Sequence, residues 1–237
     1  AYRDGQAIAE LAIGLSSIEP AKPTSINQHF RIGSISKAFL SVIVFQLVDE
    51  GRLRLDDRLV SYFPDYPEAT EIEIGQLANM TARIKDPLYS RGFKRQVESN
   101  PFRVWRTEEL ISATAKLPRW PATTKEPWHY SNSAAVILGE IVQQITGNTL
   151  QQELSARILD PLAISNTGYD LSATLPEPFC HGYSYAPENH ILARDGNAIR
   201  EVTDVNPSMW NAAGAMYSTL VGAGLPSIMV SRISAAR

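Results

Sequence analysis

Apolar residues recur along this chain with two periods, and the helical one is the clearer. From about Ser34 to Glu50 they follow a helical spacing, with Ala38, Val42, Phe45 and Val48 among them. Gly51 then stands where a left-handed residue commonly ends a helix. The same reasoning predicts a helix over about Ser131–Thr146, stopped by Gly147. Another starts at Thr149, which with Gln152 has the spacing of a capping box, and closes at Asp160-Pro161. Thr107-Glu108-Glu109 supplies a cap and an acidic first turn for a helix to about Lys116, ended by Leu117-Pro118 and Trp120-Pro121. A shorter helix is expected around Ile74–Met80.

Alternating patterns are weaker. Asp4-Gly5 is a hairpin signal, followed by a predicted strand over Gln6–Gly14, and Phe30-Arg31-Ile32-Gly33 is a short extended lead-in to the first helix. Residues 81–106 are polar and aperiodic and are expected to be mainly irregular. The stretch from Asn166 to Asn206 is turn-rich, with short strands around His181–Tyr185 and Ala198–Val202. Helices dominate the middle while strand-like text sits nearer the ends. That order predicts an α/β layer interrupted by a helical insertion.

Composition narrows the function without naming it. The 237 residues carry a net charge of −3, and the basic residues are scattered, with Arg91, Lys94 and Arg95 the densest patch. Nucleic acid is therefore not the expected partner. No apolar run approaches the roughly 18 residues of a membrane span. Cys180 is the single cysteine, so no internal disulfide forms, and His29, His129, His181 and His190 show no metal-ligand spacing. No signal peptide is visible, since the chain opens on the turn-like Ala1-Tyr2-Arg3-Asp4-Gly5. Trp105, Trp120, Trp128 and Trp210 read as packing or rim aromatics, and Cys180 as an inert thiol.

Two motifs carry chemistry. Ser34 and Lys37 lie one helical turn apart at the start of the first strong helix, so they share a face. A serine hydroxyl needs a base to become nucleophilic, and a lysine in apolar surroundings can serve as one. The backbone N–H of Ser34, at a helix start, is free to stabilise an oxyanion. A Ser-x-x-Lys string arises by chance on the order of once in a chain this long. Taken alone, a capping serine with a solvent lysine is the better reading of it. Tyr130-Ser131-Asn132, several-fold rarer by composition, opens a second apolar helix. Tyr130 can relay a proton, and Asn132 offers both a donor and an acceptor to a substrate amide. His129, beside it, is a further candidate base.

With those motifs stand Phe30–Phe39, Gln46–Asp57, Trp128–Asn132, Leu138–Val142, Thr146-Gly147, Pro161–Ile164 with Thr167, and Ala213–Thr219. In these segments the chain resembles the class C β-lactamase and DD-peptidase superfamily of serine hydrolases, and within it most the D-alanyl-D-alanine carboxypeptidase and related esterase branch. The resemblance implies α/β plus all-α architecture, an antiparallel sheet flanked by helices with a helical insertion domain. It assigns 1–55 and 200–237 to the α/β part, with an incomplete sheet, and 56–199 to a mainly helical insertion. It further implies an acyl-enzyme on Ser34, proton handling by Lys37 and Tyr130, and substrate binding by Asn132. No metal or organic cofactor is implied. The implied partner is a small-molecule or peptide substrate: a D-Ala-D-Ala peptide, a β-lactam or an ester. Relatives of this kind work in the periplasm or outside the cell.

The chain departs from the family pattern in three places. The third motif, a Lys-Thr-Gly or His-x-Gly triplet on a strand beyond the Gly214 segment, is missing; His181-Gly182 falls before that segment. The small, apolar tail from Leu220 replaces an acidic helix-forming stretch, so the fold is expected to be truncated at the C-terminus. The exposed sheet edges this leaves invite self-association. Leu77–Ile84 lacks the histidine, serine and glycine usual in the equivalent turn. An alternative therefore stands beside the hydrolase: a catalytically impaired ligand-binding module, or a fragment of such an enzyme.

Overall fold

The computed structural model describes residues 2–3, 6–122, 128–185 and 199–220. The Asp4-Gly5 turn, Ala198, His190 and the tail after Leu220 lie outside the described residues. Two small antiparallel pairs come first: β1 (Tyr2–Arg3) with β2 (Gln6–Ala7), and β3 (Leu15–Ser17) with β4 (Lys22–Pro23). The strand predicted over Gln6–Gly14 is thus only two residues of β2. The apolar side chains that suggested it, Ile8, Leu11 and Ile13, are 57%, 73% and 81% exposed. An alternating pattern makes a strand only where a partner edge receives it.

β5 (Phe30–Arg31) leads through one 3-10 turn, Gly33–Ile35, into helix α1 (Ser36–Asp49). The buried stripe of α1 is Phe39, Leu40, Ile43, Val44 and Leu47, while Phe45 on the other side is 51% exposed. The helix ends as predicted, with Gly51 at φ +69°. α2 (Ile74–Ala78) follows, then α3 (Arg91–Ser99) and α4 (Thr107–Ala115). Helix α3 occupies residues expected to be irregular. Only Phe93 and Val97 of its nine residues are buried, one turn apart, and the Phe93 ring packs 4.5 Å from that of Trp105. Two apolar residues among charges give too few points to show a period, yet they suffice to dock one short helix. In α4 the cap is not Thr107, which is the first helical residue. The Glu109 carboxylate reaches back and accepts from the Arg106 N–H at 3.0 Å.

α5 (Asn132–Thr146) is buried on nearly every face through Val142, and α1, α2, α4 and α6 (Leu150–Leu154) pack against it. An apolar helix without a polar face belongs at the centre of a core. Its ends fall where predicted: Ser131 Oγ accepts from the Ala134 N–H at 3.1 Å, and Gly147 takes φ +75°. The Thr149–Gln152 capping box forms in both directions, and one π-helical turn, Ser155–Leu159, continues α6.

β6 (Thr167–Tyr169), inside the turn-rich stretch, forms one edge of a three-stranded antiparallel sheet. β7 (Tyr183–Tyr185) and β8 (Ile199–Glu201) pair antiparallel close to where short strands were expected. β9 (Met216–Ser218) runs down the middle of the larger sheet, with Phe30 and Thr167 both opposite Ser218. The fold is that of β-lactamases and transpeptidases, an antiparallel sheet flanked by helices.

Candidate active site

The start of α1 is fixed to the sheet before any chemistry is considered. Gly33 sits at φ +52°, a conformation open to glycine at little cost, and turns the chain from β5 into the helix. Ser36 Oγ donates to the Gly33 carbonyl at 2.7 Å and accepts from the Met216 N–H at 3.3 Å. The exposed Ser34 side chain thereby stands two residues ahead of a buried hydroxyl that joins turn and strand.

Three of the four residues singled out from sequence meet around Ser34 Oγ, and the fourth holds one of them. Tyr130 Oη lies 2.5 Å from Ser34 Oγ, and Lys37 Nζ donates to the same oxygen at 3.1 Å. Lys37 Nζ also donates to Asn132 Oδ1 and to the Ala213 carbonyl, each at 2.8 Å, and lies 4.8 Å from the centre of the Tyr130 ring. Asn132 therefore spends one acceptor on Lys37, beyond the substrate contact expected of it.

Two contributors were not found by reading motifs. The Ala213 carbonyl belongs to the backbone of the Asn211–Ala213 turn, which rests on α5 at Gly139. A Cβ at Gly139 would come within 2.6 Å of the Ala212 Cβ, so glycine there lets the turn approach. Asp86 is the second. Its carboxylate is buried and accepts from Asn132 Nδ2 at 2.8 Å, from the Ser133 N–H at 2.8 Å and from Ser131 Oγ at 3.2 Å. Followed by Pro87 in an aperiodic stretch, it reads in sequence as a solvated turn residue.

The remaining candidates have other neighbours. The His129 ring stacks on Trp120 at 5.2 Å, with Lys85 Nζ 4.5 Å from the same indole. His181 Nδ1 lies 2.6 Å from Glu201 Oε1, and hydrogen bonds from His181 and Thr203 hold the Glu201 carboxyl below its ordinary range. A cavity of about 370 Å³, lined in part by Gly33, His181, Trp210 and Gly214, opens beside the Gly33–Ile35 turn. Trp105 is buried, whereas Trp128 is 54% exposed and meets Tyr130 edge-on at 6.2 Å, on the rim. Among the described residues, no three His, Cys, Asp or Glu side chains gather as a metal cluster, and no helix is long and apolar enough to cross a membrane.

A Ser-x-x-Lys turn and a Tyr-x-Asn helix start, converging beside an antiparallel sheet, mark the serine β-lactamase and DD-peptidase superfamily of hydrolases. Comparison with known proteins agrees. The family model described as Beta-lactamase matches residues 1–221, and the chain belongs to that family. It is 27% identical over 218 residues to Beta-lactamase-like protein 2 of Dictyostelium discoideum, covering 85% of this chain and 35% of that protein. It is 26% identical over 208 residues to Esterase EstB of Burkholderia gladioli, covering 82% of this chain and 51% of the esterase. Among solved structures, the D-amino acid amidase of Ochrobactrum anthropi SV3 complexed with L-phenylalanine amide superposes with a TM-score of 0.78 at 28% identity. That match covers 93% of this chain and 62% of the amidase. The chain thus spans between about a third and two thirds of the length of these relatives.

Proposed function

We propose that the chain carries the acyl-transfer site of a serine hydrolase, with Ser34 as nucleophile, Lys37 as its base, Tyr130 as proton relay and Asn132 as substrate-amide contact. One observation carries the reading: Ser34 Oγ lies between Lys37 Nζ at 3.1 Å and Tyr130 Oη at 2.5 Å. The other two partners of Lys37, Asn132 Oδ1 and the Ala213 carbonyl, are acceptors only. A neutral amine would spend its two N–H groups on them and turn its lone pair to the Ser34 hydroxyl. After taking the proton, the ammonium donates a third bond to Oγ. The same geometry therefore suits both ends of the transfer.

In the first step Ser34 Oγ bonds to the substrate carbonyl carbon, and its proton passes to Lys37. The bond to the leaving nitrogen or oxygen then breaks, and Tyr130 passes its proton to that atom. The proton held by Lys37 moves to Tyr130, so that both return to their starting forms. Water enters, forms the acid and returns Ser34 to its hydroxyl. The acyl donor we assign is a small amide, ester or lactam, with D-aminoacyl amides and D-Ala-D-Ala peptides among the candidates. The amidase and esterase relatives support this class.

A fluorophosphonate and a fluorescent penicillin, each followed by mapping of the labelled peptide, test the site. Label at Ser34, lost in Ser34→Ala, is expected. A folded sample that takes neither reagent at Ser34 refutes the hydrolase, and ligand binding without turnover, unchanged by Ser34→Ala, marks a binding module instead. A panel of D-amino acid amides, short esters and D-Ala-D-Ala peptides then ranks the substrates.

A further inference from the structure

We infer that Asp86 is a positioning residue for the Ser34–Lys37 pair, acting through the side-chain amide of Asn132; the inference rests on the hydrolase reading above. Asn132 is bracketed by two groups that leave its amide no choice of orientation. Lys37 Nζ has no acceptor when charged and faces Oδ1 at 2.8 Å, while the Asp86 carboxylate has no donor and faces Nδ2 at 2.8 Å. Turning the amide over would set donor against donor on one side and acceptor against acceptor on the other.

Asp86 is itself held on its far side. Its Oδ1 accepts from the Ser133 N–H at 2.8 Å and from Ser131 Oγ at 3.2 Å, leaving Oδ2 for Asn132. The Ser133 N–H is one of the unpaired donors of the α5 N-terminus, and a carboxylate is the favoured partner there. One buried side chain thus joins the start of α5 to the orientation of Asn132, and through it to the ammonium beside Ser34. The residue lies 46 positions from Asn132 in the chain, outside both motifs.

The substitution Asp86→Asn keeps the shape and inverts the chemistry. The new carbonyl oxygen stays on the Ser133 N–H, which the helix holds in place, so the new NH₂ faces Asn132. The Asn132 amide must then turn over and present its NH₂ to Lys37. The expected result is a fall in the fluorophosphonate labelling rate of about 10- to 100-fold, the scale of an active-site misplacement near 1 Å. The melting temperature should change little. A double-mutant cycle separates this from a purely structural role: in an Asn132→Ala background, Asp86→Asn should cost nothing further. Additive losses, or an unchanged rate in a folded Asp86→Asn protein, overturn the proposal.

A measurement on the unsubstituted protein decides the same point without a variant. The Asn132 side-chain NH₂ should be protected from solvent exchange in ¹H–¹⁵N spectra, and free exchange overturns the proposal. If the unsubstituted protein takes no label at Ser34, the hydrolase reading fails, while the exchange measurement still decides whether Asp86 holds Asn132.

Discussion

Gly139 offers the sharpest test of how packing sets the site. In Gly139→Ala the added Cβ would stand 2.6 Å from the Ala212 Cβ, against an ordinary carbon contact of about 3.5–4.0 Å. About 1 Å of movement is needed, and it falls on α5 or on the Asn211–Ala213 turn. Overpacking of this kind costs about 1–3 kcal/mol, of which alanine's better helix propensity returns about 1. The net destabilisation is about 1 kcal/mol, or about 2–4 °C in melting temperature for a chain of this size. The effect on chemistry should be larger. The Ala213 carbonyl sits 2.8 Å from Lys37 Nζ, so a shift near 1 Å removes that bond. The fluorophosphonate labelling rate should fall about 10- to 100-fold. The second change Ala212→Gly removes the opposing methyl and should restore the rate. A Gly139→Ala protein that melts and labels like the original, or a double variant that stays slow, refutes the packing argument.

Three further outcomes follow from particular residues. Lys37→Ala should lower labelling at Ser34 by about 10²- to 10⁴-fold, and Lys37→Arg should not rescue it, because a guanidinium does not give up a proton. Arg83 takes φ +61°, in the left-handed region that favours glycine. Arg83→Gly should therefore melt about 2–4 °C above Arg83→Ala, since both lose the bond from Nη1 to the Trp120 carbonyl and only glycine escapes the backbone strain. The third concerns acid. The hydrogen bond from Arg157 holds the Glu50 carboxyl below its ordinary range. At Glu153 burial alone would raise it, but bonds from Asn148 and Arg157 outweigh burial and lower it. Lowered folded values mean stability that is full above the unfolded value of about 4.3 and lost as pH falls through the folded ones. Melting temperature should fall as the solution is acidified below the ordinary carboxylate range, and Arg157→Met should flatten that fall. A variant with the same acid slope as the original protein would contradict the assignment.

What the sequence determined by itself was local. Gly51 and Gly147 end their helices because the left-handed turn is a property of a few adjacent residues, and the Thr149–Gln152 box closes within one turn. Ser34 and Lys37 share a face because helical spacing puts them there, whatever lies around them. Tyr130 and Asn132 were legible as a motif at a helix start for the same reason. Tertiary structure decided everything that depends on distant partners. The buried stripe of α1 is set by α5 behind it, the strand at Thr167–Tyr169 exists because β9 receives it, and Gln6–Gly14 is mostly not a strand for want of such an edge. The site divides in the same way. The serine and lysine are neighbours in the chain, but the acceptors that orient the lysine are a backbone carbonyl 176 residues away and an amide turned by Asp86, 46 residues from it. A motif records which groups are present. Only the packing of α5 against the Asn211–Ala213 turn and against Asp86 determines which way those groups point, because a hydrogen bond depends on ångströms and angles that one-dimensional spacing does not carry.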